Sequence, residues 1–177
     1  LSNNQKLIYN DIRKFGFIKF INRANLEQNV HLKHLGPEPL SVKFNIGYFK
    51  DYIKGRERTI KDLLMDQKFV SGLGNIYVNE ILFFSGVRPA KKIKKLTNFE
   101  IQKIIKFSKK IISKAIILGG SSIKDFSSSS GKKGSFQQHF SVYGKKAKKC
   151  SKAKCVGKIK KIVIANRASF FCNKCQK

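Results

Sequence analysis

Acidic residues are scarce in this 177-residue chain: 10 Asp and Glu stand against 38 Lys and Arg, giving a formal net charge of +28. Asp125 is the last of them, and fourteen Lys and Arg follow it without one carboxylate. This imbalance exceeds what solubility needs, and self-repulsion destabilises a compact state unless a partner neutralises it. A polyanionic partner is expected, with nucleic acid the leading candidate. No run of about 18 apolar residues occurs, which excludes a membrane-spanning helix. Leu1, Ser2, Asn3 and Asn4 lack the basic and apolar regions of a signal peptide. Leu1 is not an initiator methionine, so the chain is expected to begin inside a longer protein or to have been processed.

Cysteine is confined to the last 28 residues, as Cys150-x4-Cys155, a gap of sixteen, and Cys172-x2-Cys175. Two close pairs held apart by a hairpin-length stretch suit one tetrahedral zinc ion, because each pair offers two thiolates from one turn. Four ligands saturate the ion and leave no position for water, so the expected zinc is structural. Without export signals the thiols are expected in a reducing compartment, where metal binding is favoured over disulfides. Ile159 and Ile162 to Ile164 read as hairpin strands, with Asn166 and Arg167 at the turn. An arginine on a metal-stiffened turn is well placed to meet phosphates. His31, His34 and His139 have no metal-pair spacing to the cysteines and read as packing or surface residues.

Hydrophobic residues make up 41% of the chain, with 15 Phe, enough for an ordinary core. Residues 6–9 and 16–21 read as short strands, the end of a β domain placed at residues 1–35. Pro37 and Pro39 break regular structure and mark the boundary. Residues 45–118 read as helices within a domain placed at 36–137, with apolar spacing through Ile60, Leu63, Leu64 and then Ile76, Tyr77, Ile81 and Phe84. Thr97 and Glu100 form a capping box, with Leu96 and Ile101 placed as its staple. The stripe from Ile104 to Leu118 ends at Gly119 and Gly120, which accept the left-handed cap. Residues 119–137 are rich in Gly and Ser, either a linker or a lid that orders over a ligand. Phe140, Val142 and Tyr143 read as a strand leading into a domain of residues 138–177.

Gly72, Leu73 and Gly74 lie between two helical segments, with Asn75 opening the second. Glycine lets backbone N–H groups approach an anion, and a helix N-terminus favours negative charge. Asn75 would cap that helix or bind a phosphate oxygen; tight helix packing explains the glycines equally well.

Five blocks then occur in one order: Asp11, Arg13, Phe15 and Gly16; Leu35 to Leu40; Leu64 to Asp66 with Gly72 to Tyr77 and Glu80; Val142 to Gly144; Arg167 to Gln176. Together they resemble formamidopyrimidine-DNA glycosylase, the bacterial family that removes oxidised purines such as 8-oxoguanine. The resemblance implies an α+β fold: the end of a β-sandwich, a helix–two-turn–helix domain, and a C-terminal β-hairpin zinc finger. It implies N-glycosidic hydrolysis with β,δ-elimination at the abasic site, and a cytoplasmic, nucleoid-associated monomer whose partner is duplex DNA with an oxidised purine or abasic site. Arg13 and Phe15 would fill the void left by an extruded base, a gap costing a few kcal/mol. Arg56, Asn75 and Arg167 would contact phosphates, Arg167 also donating a proton in the last strand-cleavage step, and Lys61 would lie near the lesion. The loop 119–137 would close over the flipped base. The family's nucleophile is an N-terminal proline followed by glutamate; neither stands at the start of this sequence, and the chain by itself is expected to bind DNA without catalysis. The alternatives are a non-catalytic zinc-containing module of ribosomal or damage-sensing type, and an endonuclease VIII-type glycosylase.

Overall fold

Four aromatic rings close on Phe69: Phe44, Tyr48, Phe49 and Tyr52, with centroids 4.8–5.9 Å from its own. Phe69 is fully buried, and truncating such a side chain costs about 3–5 kcal/mol. The computed structural model describes residues 2–6, 8–11, 14–121 and 134–177. They divide into Leu1–Lys33 and His34–Lys177, each a compact unit.

The larger unit is helical. Helix α1 spans Ile46–Ile53 and α2 spans Ile60–Met65; Asn45 and Thr59 cap them by accepting the N–H groups of Tyr48 and Asp62. Helix α3, Asn75–Ser85, ends at Gly86, whose φ of 74° lets its N–H reach back to Leu82 and Phe83. Helix α4, Asn98–Ile117, carries the complete Thr97–Glu100 capping box. Its buried stripe is Ile101, Ile104, Ser108, Ile111 and Ala115, with Ser108 donating to Ile104 O at 2.8 Å. Gly119 and Gly120 follow with φ of 70° and 79°. No helix among the described residues is long and apolar enough to cross a membrane.

The core of this unit runs from Phe44 to Phe140 and draws on all four helices. A second, smaller cluster joins Phe83 of α3 to Val142, Cys150, Ile159, Phe170 and Cys172. It underlies an antiparallel hairpin, β1 (Ile159–Ile164) and β2 (Arg167–Cys172), in register Ile164↔Arg167. Ala165 and Asn166 form its two-residue turn with φ of 48° and 57°, the left-handed pair of a type I′ connection. Arg167 therefore opens β2 rather than sitting in the turn.

Two expected strand regions are not strands. Residues 140–143 follow a 3-10 turn, Phe136–His139, as irregular backbone. The Glu80 carboxylate takes the N–H groups of Ser141, Val142 and Tyr143, and the Phe140 N–H turns back to Gln137 O, so no N–H is left for a ladder. In Leu1–Lys33 the regular element among the described residues is the 3-10 turn Arg23–Asn25, capped by Asn22. A strand needs a neighbour for its N–H and C=O groups, and among the described residues no ladder joins residues 8–9 or 16–21 to a partner. Most of the described apolar side chains there stay exposed, Ile8 by 82% and Phe20 by 98%.

Candidate nucleic-acid interface

The turn between α2 and α3 is braced from within. Gln67 Oε1 accepts the Gly72 N–H at 2.7 Å, and its Nε2 donates to Leu73 O at 3.0 Å. Gly72 holds a φ of 82° that a side chain would strain. Gly74 precedes α3 and offers no side-chain cap, leaving the first N–H groups of α3 to an outside acceptor. Asn75 is the first residue of that helix and is half-buried.

Lys61 decides how Asn75 is used. Lys61 is 1% exposed, and its ammonium donates to Asn75 Oδ1 at 2.6 Å. Asn79 Nδ2 reaches the same oxygen at 3.4 Å. Two donors on the oxygen leave the Nδ2 group as the free end, and no described residue accepts from it. The amide thus offers N–H donors, the polarity an anion requires. Burial pushes the Lys61 ammonium down to about 7, and no carboxylate among the described residues offsets it. Lys61, expected near a lesion, holds the Asn75 side chain in this structure.

Asn79 and Glu80 attach the hairpin side of the unit to α3. Asn79 Oδ1 accepts the Phe170 N–H at 2.7 Å, and its Nδ2 lies 3.5 Å from Ala168 O. Glu80, 1% exposed, accepts the N–H groups of Ser141, Val142 and Tyr143 at 2.7–3.0 Å. Burial raises its carboxyl above the usual range, against the pull of those three donors. Neither residue was singled out for this role from sequence. The available signal was a polar pair inside the apolar run from Ile76 to Phe84, since buried polar groups in a helix must find partners.

Arg167 is exposed at the start of β2, and no ion pair among the described residues involves it. The hairpin beneath it closes on the four thiols. Cys150 and Cys175 sulfurs lie 3.8 Å apart, Cys155 and Cys172 3.6 Å, and all four fall within 4.8 Å. A tetrahedral ion with M–S bonds of about 2.3 Å separates its sulfurs by roughly 3.8 Å, so the cluster fits one metal. Gly157 passes so near that an added Cβ would lie 2.4 Å from Cys172 Sγ. Burial opposes ionisation at this cluster, while the Cys175 and Lys174 N–H groups favour the thiolate at Cys172. Gln176 bridges Cys172 N–H and Val87 O, and Lys177 pairs with Gly86 and Arg88, so the second knuckle is stitched to the end of α3.

Arg56 is exposed, with its guanidinium 4.2 Å over the Tyr52 ring and an N–H donated to Tyr52 O. Arg58, which drew no attention in the sequence, pairs with Asp62 and Asp66 at 2.6 and 2.5 Å and serves the fold. In Leu1–Lys33, Asp11 Oδ2 accepts the Gly16 N–H at 2.6 Å and closes a loop that carries Phe15, 83% exposed. Arg13 lies outside the described residues, as do residues 122–133 of the segment 119–137.

Residues 35–127 match the family model described as the formamidopyrimidine-DNA glycosylase H2TH domain. The chain belongs to the formamidopyrimidine-DNA glycosylase family. It is 44% identical over 176 residues to the formamidopyrimidine-DNA glycosylase of Haemophilus influenzae, covering 99% of this chain and 64% of the relative. The Roseobacter denitrificans enzyme is 37% identical over 177 residues, 100% of this chain and 62% of the relative. Among solved structures, the Lactococcus lactis Fpg in complex with DNA containing an abasic site aligns with a TM-score of 0.85 at 37% identity. That alignment covers 94% of this chain and 60% of the other. The T221P mutant of the same protein, bound to Fapy-dG DNA, aligns equally well. This member of the formamidopyrimidine-DNA glycosylase family spans somewhat under two thirds of the length of such relatives.

Proposed function

We propose that the chain supplies the DNA grip of a base-excision repair enzyme for oxidised purines, one that cleaves the N-glycosidic bond and then breaks the strand by β,δ-elimination. The observation that carries this reading is the amide of Asn75. Its oxygen is held inward by Lys61, and its N–H donors open the free end of α3. Phosphate contacts position a protein on duplex without reading sequence, and this arrangement suits one. Arg167 adds a cation on the attached hairpin, and Arg56 a third basic contact. Arg167 also serves the last elimination step as a proton donor. The ion in the Cys150, Cys155, Cys172 and Cys175 cluster is one structural zinc: four thiolates select it and leave no ligand position for chemistry. Arg13 and Phe15 enter the gap left by the extruded base, and the segment 119–137 covers that base. The relatives' solved complexes with abasic-site and Fapy-dG DNA support this choice of partner.

Fluorescence anisotropy at one fixed salt concentration tests the reading, with duplexes that are undamaged, contain 8-oxoguanine or contain an abasic site. Tighter binding to the damaged duplexes is expected. Equal affinity for all three would instead mark a nucleic-acid-binding module without damage recognition. A fixed salt is needed because counterion release moves every affinity together.

A further inference from the structure

Asn79 lies one helical turn after Asn75, fully buried, with its amide turned to the outer edge of β2. In an antiparallel ladder alternate residues aim their backbone groups at the same edge, so Ala168 O and the Phe170 N–H point away from β1 together. The Asn79 side chain meets that edge with one donor and one acceptor, as a third strand would. The same Nδ2 donates to Asn75 O at 2.7 Å and approaches Asn75 Oδ1 at 3.4 Å. One buried amide therefore touches both the residue that opens α3 and the strand that begins at Arg167. An apolar helix–strand contact tolerates small slides; a two-point hydrogen bond to a strand edge fixes register.

We propose that Asn79 is a positioning residue that holds Asn75 and Arg167 at a set separation, so that the two donors engage the DNA backbone as a unit. The inference rests on the reading of Asn75 and Arg167 as phosphate contacts. Substitution of Asn79 acts through both without touching DNA. Asn79→Asp keeps the acceptor for Phe170 and loses the donor to Asn75 and Ala168, which separates the two halves of the tether.

Affinity for a duplex with an abasic-site analogue is measured for Asn79→Ala and Asn79→Asp, each alone and in an Asn75→Ala, Arg167→Ala background, across a salt series. Asn79→Ala is expected to weaken binding about tenfold alone and at most about twofold in the background that lacks both donors, a non-additivity typical of residues in one network. Its log–log salt slope is expected to fall by about one to two, the share of one or two phosphates. Asn79→Asp is expected to bind at least as weakly as Asn79→Ala, because its carboxylate would face the Asn75 and Ala168 carbonyl oxygens. The same fold-loss in every background, or an unchanged salt slope, overturns the proposal. Amide exchange without DNA reports the tether separately: the Phe170 N–H should lose protection in Asn79→Ala while the Ser169 N–H, bonded across to β1, keeps it. If the unsubstituted chain fails to bind, the reading of Asn75 and Arg167 fails and the proposal falls with it. If that chain binds but Phe170 exchange does not change, only the tether is wrong.

Discussion

Lys61 Nζ and Asn75 Oδ1 are 2.6 Å apart across fourteen residues of sequence, and this bond settles which end of the amide faces outward. Among the described residues no carboxylate pairs with the cation, so its burial carries an energetic cost that the outward-facing donors offset only when a ligand is present. A group that lowers stability while aiming a donor is what functional positions tend to contain.

Lys61→Met is therefore expected to change stability and binding in opposite directions. The folded-state ammonium titrates at about 7 and the ordinary value is 10.5. Between those values the unfolded chain holds the extra proton, so this group makes stability climb as pH rises; below about 7 its buried charge exerts its full penalty. Urea denaturation should find Lys61→Met more stable than wild type at pH 6, with the advantage shrinking by pH 9. DNA affinity should fall about tenfold, the order lost with one charged hydrogen bond. A variant less stable than wild type at pH 6 would show that the ammonium is better solvated than its burial implies.

Glu80→Gln tests the buried carboxylate of α3. The amide has one acceptor oxygen where the carboxylate has two, and its N–H2 would face the Ser141–Tyr143 donors. A loss of about 2–3 kcal/mol is expected, the penalty for leaving a buried donor unpaired. Amide exchange should localise the damage to residues 141–143. Uniform loosening of the whole unit would mean that Glu80 supports the core at large.

How much of this was legible in the sequence depended on how far apart the partners lie. The Thr97–Glu100 box, the Gly119–Gly120 stop and the cysteine pairing are short-range, and each is present as expected. The hairpin was legible too, although Arg167 proved to be the first strand residue rather than part of the turn. Asn79 and Glu80 have partners 61 to 91 residues away, and no local pattern points to them. Glu80 also explains the misread strand: apolar Phe140 and Val142 alternate as strand residues do, but a carboxylate takes the place of the ladder. The burial of Lys61 was hidden for the opposite reason, because a lysine between apolar neighbours on a short helix reads as a solvated cation.

Phe15→Ala separates void filling from phosphate contact. Phe15 is 83% exposed in its unit, so truncation should move stability by no more than about 0.5 kcal/mol. If the ring enters a gap in the base stack, the variant should lose affinity for abasic duplex and keep its affinity for undamaged duplex. Competition between the two duplexes measures this directly. Parallel losses on both would place Phe15 in general DNA contact and remove it from lesion recognition.

Metal removal should dissect the larger unit rather than unfold it. The hairpin rests on six buried residues, two of them cysteines, whereas the helical core from Phe44 to Phe140 contains no thiol. A two-stranded ribbon is marginal alone, and a metal held by the four clustered thiols would supply folding free energy directly. With a chelator in excess, amide protection should collapse across β1 and β2 while the interiors of α3 and α4 stay protected. Cys155→Ser should reproduce this without chelator. DNA affinity should fall in both cases, because Arg167 loses its rigid base while Asn75 keeps its own. Arg167→Ala in the presence of chelator should then cost little more. If protection of β1 and β2 survives chelation, the strands are held by Asn79 and the Phe83–Phe170 packing, and the four thiols are not what sustains the hairpin.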